Sequence, residues 1–138
     1  MKKLLSIAVL IFVIGITYGQ NLKKGNTLGL HVFTITLNSG VTMDQYFDFC
    51  KTKWIPAYEK NFQGVKVYGI KGIKGECLNC DGIMLVWKTK EDMERYWKPD
   101  GSATELTNAA NAKLKLLYDE LLKLVKMTNA KYTDWQIQ

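Results

Sequence analysis

Residues Val65 to Trp87 read VKVYGIKGIKGECLNCDGIMLVW. Two apolar, β-rich runs flank a loop bounded by Gly75 and Gly82. Cys77 and Cys80 lie near its tip. That pattern predicts a β-hairpin. On the outgoing strand Val65, Val67 and Gly69 alternate with Lys66, Tyr68 and Ile70. The return strand, Ile83 to Trp87, is apolar at every position, which implies cover on both faces. In some registers Tyr68 and Trp87 face each other across the hairpin.

Working outward, a helical pattern lies on each side. Thr42 and Gln45 have capping-box spacing, with Val41 and Tyr46 spaced as a hydrophobic staple. Met43, Phe47, Cys50, Trp54 and Ala57 then form one apolar stripe. Pro56 removes a backbone donor and should kink or end this helix. Tyr58 and Phe62 carry the chain off it, and Gly64 marks the exit. Beyond the hairpin, Thr89 with Asp92 opens a short helix through about Trp97, and Pro99-Asp100-Gly101 is a turn. Ser102 with Glu105 caps the longest helix, which runs to about Met127. Its buried stripe is Ala110, Leu114, Leu117, Leu121 and Leu124, and Asn129 ends it. A strand-like run closes each end. Leu28 to Leu37 puts His31, Phe33, Ile35 and Leu37 on one face, and Leu30, Val32, Thr34 and Thr36 on the other. Lys131 to Ile137 places Trp135 and Ile137 together.

The order strand, helix, strand, strand, helix, strand is the split β-α-β arrangement of an α+β, ferredoxin-like βαββαβ domain. It implies a four-stranded antiparallel sheet with helices on one face, and an extra short helix before the last long helix. The order, the size and the strands apolar on both faces resemble the dimeric α+β barrel superfamily. Its members include small antibiotic-biosynthesis-type monooxygenases, stress-responsive A/B barrel proteins and NIPSNAP-like proteins. The resemblance covers about Leu28 to Ile137. It implies a homodimer with sheets face to face and a small ligand in the enclosed space. It transfers no catalytic residue.

The chain begins differently. Lys2 and Lys3 precede the apolar run Leu4 to Ile16, and Thr17-Tyr18-Gly19 follows. This is the three-part pattern of a signal peptide, cleaved after Gly19. The run is shorter than the ~20 residues that span a bilayer. The expected organisation is therefore signal peptide 1–19, leader 20–27 and domain 28–138. The mature chain is then exported, to the periplasm or outside the cell, with no stable membrane insertion. Removing the signal peptide leaves 119 residues and lowers the net charge from +6 to +4. Lysines are scattered from Lys23 to Lys131 and Arg95 is the one arginine, so no basic patch points to nucleic acid.

Three cysteines in an exported chain allow one pair and leave one over. Cys77 and Cys80 read as a disulfide that stiffens the loop tip. Glu76 and Asp81 beside them would raise a thiol pKa, which weighs against a redox role. No second CxxC or HxxxH exists to complete a zinc site, so no metal and no cofactor are expected. Cys50 reads as a small buried hydrophobe, or alternatively as a nucleophile paired with His31. His31, the one histidine, is either a packed rim residue or a polar group aimed at a ligand. Together the expected function is binding of a small apolar or aromatic ligand in the dimer cavity by His31, Tyr68 and Trp87. The alternatives are a cofactor-independent monooxygenase or isomerase using His31, and a thiol-redox protein using Cys77 and Cys80.

Overall fold

The computed structural model describes residues 22–138 apart from Asn79. The predicted signal peptide lies outside the described residues. The elements are β1 (Thr27–Leu37), α1 (Met43–Phe49), a π-helical turn (Cys50–Trp54), α2 (Ile55–Asn61), β2 (Val65–Lys71), β3 (Asp81–Trp87), α3 (Lys90–Glu94), α4 (Glu105–Leu124) and β4 (Val125–Gln136). A short 3-10 turn, Gly75–Cys77, tips the hairpin. Among the described residues the strands form one sheet in the order β2-β3-β1-β4, every neighbour antiparallel. This is the ferredoxin-like βαββαβ arrangement, with α3 as the extra short helix.

Register decides which side chains meet. Val65 pairs with Trp87, Val67 with Leu85 and Gly69 with Ile83. On the other side of β3, Gly29 pairs with Leu85 and His31 with Ile83. The odd-numbered residues of β1, β2 and β3 therefore share one face, and the helices cover it. There Val65, Val67, Leu85 and Trp87 pack with Tyr58, Phe62, Tyr96, Ala110 and Leu114. A second cluster joins Tyr46, Phe49, Leu121 and Val125. Leu28, Leu30, Val32, Tyr68, Met84, Val86 and Trp135 occupy the opposite face. There Tyr68 and Trp135 are 41% and 59% exposed.

Local chemistry explains the elements and their departures from expectation. The Thr42 capping box forms in full. The Gln45 amide donates to Thr42 Oγ1 at 3.2 Å, and the Thr42 amide donates to Gln45 Oε1 at 2.8 Å. The helix does not end at Pro56. The Ile55 amide reaches back to the Cys50 carbonyl through the π-helical turn, and the helical path continues as α2 to Asn61. A wide turn placed just before a proline accommodates its missing donor. It also slips the helical phase. The buried residues are Tyr46, Phe49 and Tyr58, while Phe47, which the stripe placed inside, is 45% exposed.

The long helix starts later than expected. Thr104, not Ser102, caps it by accepting from the Thr107 amide at 3.4 Å. It ends at Leu124, short of Met127. The Asn38 side-chain amide donates to the Leu122 and Lys123 carbonyls at 3.0 and 2.9 Å, satisfying acceptors that a helix end leaves open. Asn129 has φ +54° and lies in β4, where the pairing with β1 shifts between Val32 and Thr34. Its left-handed backbone serves a β-bulge and not a helix end. β1 also starts one residue early, at Thr27, and β3 two residues early, at Asp81. Gly82 must be glycine, since a Cβ there would lie 2.4 Å from the His31 carbonyl oxygen.

Candidate functional site

β1 delivers His31 to the helix-facing side of the sheet. The bulge in β4 resets the pairing so that His31 lies opposite Tyr132 and Gly29 lies opposite Asp134. The His31 and Tyr132 rings stand 4.3 Å apart at 53°. Tyr132 and Asp134 are two residues apart on one strand and therefore share a face. The Tyr132 hydroxyl donates to Asp134 Oδ2. Gly29 makes room for this pair, because a Cβ there would approach Asp134 Oδ1 to 3.2 Å and the Tyr132 ring to 3.5 Å.

α3 and the turn after it form the opposite wall. Met93 and Trp97 supply apolar surface there, with Pro99 beside them, and Lys90, Glu94 and Lys98 supply charge. Lys90 and Glu94 pair at 3.1 Å across one helical turn. The turn is anchored on itself: the Lys98 amide donates to the Ser102 carbonyl at 2.9 Å and the Gly101 amide to the Lys98 carbonyl at 2.8 Å. Between wall and sheet lies a cleft of about 370 Å³. That lies within the ~300–1,000 Å³ range of small-molecule sites.

Burial lowers the His31 pKa below the ordinary 6.5, and the Asp134 charge offsets part of the shift. The imidazole is therefore neutral at pH 7 and offers one donor and one acceptor nitrogen. The Tyr132 phenol is pushed up by burial and by Asp134, and stays protonated. Its proton is committed to Asp134, which leaves its oxygen as an acceptor. The arrangement can orient a small ligand by hydrogen bonds and cover its apolar part with Met93 and Trp97. It can also hold a proton on His31 with Asp134 nearby to favour the charged form.

Of the residues expected to act together, the structure brings only His31 to this cleft. Trp87 shares its face but is 1% exposed, packed under α2 and α4 in the core. Tyr68 pairs with Met84 and points to the opposite face, so it never meets Trp87. Cys50 lines a separate cleft with Tyr46 and Asp81 and is not paired with His31. It is a free, half-buried thiol. Cys77 and Cys80 lie at disulfide distance, with Cα atoms 5.0 Å apart. Tyr132, Asp134, Met93 and Trp97 were not singled out by sequence reasoning. The available signal was the i, i+2 pair Tyr132 and Asp134 matched against Gly29 and His31, a small residue opposite an acid.

No family model matches the chain, and no curated protein matches it. Among solved structures it is similar to a dimeric protein of unknown function and ferredoxin-like fold from Bacteroides fragilis. The TM-score is 0.42 and the identity 14%, over 83% of this chain and 98% of that one. The strand order described above carries the fold assignment for this chain.

Proposed function

We propose that this is an exported, non-catalytic domain that binds a small aromatic or apolar ligand in the cleft over His31 and works as a homodimer. The carrying observation is the convergence of His31, Tyr132 and Asp134 beneath Met93 and Trp97 in a cleft of about 370 Å³. Polar groups on the sheet and on α3, His31, Tyr132 and Asp134 against Lys90, Glu94 and Lys98, converge on the apolar surface of Met93, Trp97 and Pro99. Convergent polar groups around an apolar surface fix the orientation of a small molecule. The site lies within each subunit, between the sheet and α3, and not between two sheets. The ligand class is a flat apolar body with one or two hydrogen-bonding groups. Trp97 and Met93 take the body, while the His31 nitrogens and the Tyr132 oxygen take the polar edge.

The dimer is a separate part of the reading. The face carrying Leu28, Leu30, Val32, Tyr68, Met84 and Trp135 lies opposite the helices. Lys66 and Lys131 lie on this face on the two outer strands, while its centre is apolar. Such a patch is normally covered, and two-fold pairing of a second copy is the simplest cover.

A second reading follows from the state of His31. A neutral imidazole beside a carboxylate is arranged as a general base, which supports an isomerase-type proton transfer. NMR with a panel of small phenols and heteroaromatic compounds separates the cases. Binding should shift the His31 ring and the Trp97 indole and be lost in His31→Ala. Turnover of any bound compound with proton exchange selects the second reading. A panel in which no compound moves either signal overturns both.

A further inference from the structure

A second cleft, of about 200 Å³, opens on the helix-covered face between α1 and the β2–β3 hairpin, where Ile83 is the cross-strand neighbour of His31. It shares no lining residue with the His31 cleft. Tyr46, Cys50 and Trp54 form its helical wall, with Ile83, Gly69 and Asp81 on the sheet. Asp81 opens β3 directly after the Cys77–Cys80 loop and is only 5% exposed. Its Oδ1 is buried and accepts no hydrogen bond from any described residue. Buried acceptors are nearly always satisfied, and leaving a charged one bare costs more than a neutral one. Lys71 pairs with Asp81 across the β2–β3 ladder, yet it forms no ion pair with it among the described residues. Opposite Ile83, Gly69 is exposed on the edge strand β2 and a Cβ there would meet nothing within 4 Å, so the cleft opens to solvent on this side.

We infer that this cleft is a second binding site, taking a small amine whose ammonium group donates to Asp81 while its apolar part lies against Trp54, Ile83 and the surface above Gly69. Three features favour an ammonium over a neutral alcohol or an acid. A carboxylate is the strongest acceptor for a charged donor, and Asp81 lines the cleft with an unpartnered carboxylate oxygen. The aromatic wall of Tyr46, Phe47 and Trp54 also favours a cation. An anion would be repelled by Asp81. The volume is smaller than that of drug-sized sites, so the occupant is small. Cys50 is not a reactive partner, because burial and the Asp81 charge push its thiol up. Burial also raises the Asp81 pKa, with Lys71 opposing, while Tyr46 and Cys50 stay protonated. An ammonium ligand selects the ionised carboxylate, so its affinity should rise with pH through the Asp81 titration and then level off.

The test is an NMR titration of the purified protein with phenethylamine, and separately with 2-phenylethanol, its neutral counterpart. Shifts of the Gly69 amide and the Trp54 indole are followed. Phenethylamine should bind saturably, at least about tenfold more tightly than the alcohol, the worth of a charge-assisted hydrogen bond. Asp81→Asn should bring the two affinities together. Gly69→Val should block phenethylamine while Asp81 is intact, so that a folding defect in one variant does not decide the matter. Equal binding of amine and alcohol, no saturable shift with the amine, or unchanged amine binding in Gly69→Val overturns the site.

Discussion

Gly29 and Asp134 lie directly opposite each other across the β1–β4 ladder, and a Cβ on Gly29 would stand 3.2 Å from Asp134 Oδ1. A missing side chain on one strand thus creates the space for the carboxylate that holds Tyr132 beside His31. Gly29→Ala should push Asp134 and Tyr132 outward. The backbone there is extended, so the effect is one of crowding and not of strain. We expect a stability loss of about 1 kcal/mol, at the low end for an added methyl group in a packed place. The His31 ring signals should shift as Tyr132 moves. Urea melts and NMR together check it, and unmoved His31 signals would remove Gly29 from the site's construction.

A second prediction concerns pH. The folded His31 pKa is lowered, with burial the main cause. A lowered folded value means that the folded state resists protonation. The stability it supports is full above the ordinary 6.5 and is lost as pH falls from there through the folded value. Asp81 runs the other way, because its raised folded pKa favours folding as it gains its proton at lower pH. The His31 contribution must therefore be read as a difference between the parent and His31→Gln. Denaturant midpoints of the parent should fall relative to the variant as the pH drops below 6.5. A difference that stays constant with pH overturns the prediction.

Much of this was legible in the sequence, for reasons that particular residues show. The Gly75 to Gly82 loop announces the hairpin, and the alternation of Leu28 to Leu37 groups His31 with Phe33, Ile35 and Leu37, but that face lies under the helices and not in the expected cavity between two sheets. Thr42 and Gln45 capped α1 as their spacing required. Register was not legible. The long connection from β2 to β3 does not fix how the strands slide, and one residue of slip moves every side chain to the other face. Tyr68 and Trp87 face each other only in a slipped register, and in the structure they lie on opposite faces. The π-helical turn breaks the phase of the stripe from Met43 to Ala57, and an unbroken stripe points Phe47 inward in place of Phe49. Asn129 signalled a left-handed residue, but that conformation serves a helix end and a β-bulge equally well. The bulge is what aligns Tyr132 and Asp134 with His31 and Gly29, so the site itself depended on the least readable feature of the chain.

The cysteines give a third prediction. Cys77 and Cys80 are close enough to be bridged, while Cys50 is half-buried against Tyr46. Alkylation without reductant, followed by peptide mapping, should leave Cys77 and Cys80 unlabelled. Cys50 should react slowly in the native protein and fast in denaturant, since burial keeps it a thiol. Prompt labelling of Cys77 and Cys80 would show free thiols and restore weight to a redox role.

Export is tested by mass. The basic start, the short apolar run and the small residues before Gln20 predict cleavage after Gly19. Protein taken from its native cell envelope or medium should lack the first 19 residues. An intact mass that includes Met1 removes the signal peptide and, with it, the argument for an oxidised Cys77–Cys80 pair.

The proposed dimer uses the sheet face away from the helices. Leu30 sits near its centre, on β1, between Met84 on β3 and Thr133 on β4. A charge at that position does not touch the helix-covered core, so it should break the pairing of two sheets and leave each subunit folded. Wild-type protein should sediment as a dimer at micromolar concentration, and Leu30→Lys as a monomer with an unchanged circular dichroism spectrum. Burying an unpaired lysine in a dry interface is costly enough to separate the copies. The His31 cleft lies on the other face, so the monomeric variant should keep its ligand shifts at His31 and Trp97. A wild-type monomer would show that Leu28, Leu30, Met84 and Trp135 tolerate water in this fold. Loss of ligand shifts on monomerisation would instead place a contribution from the second subunit in the cleft.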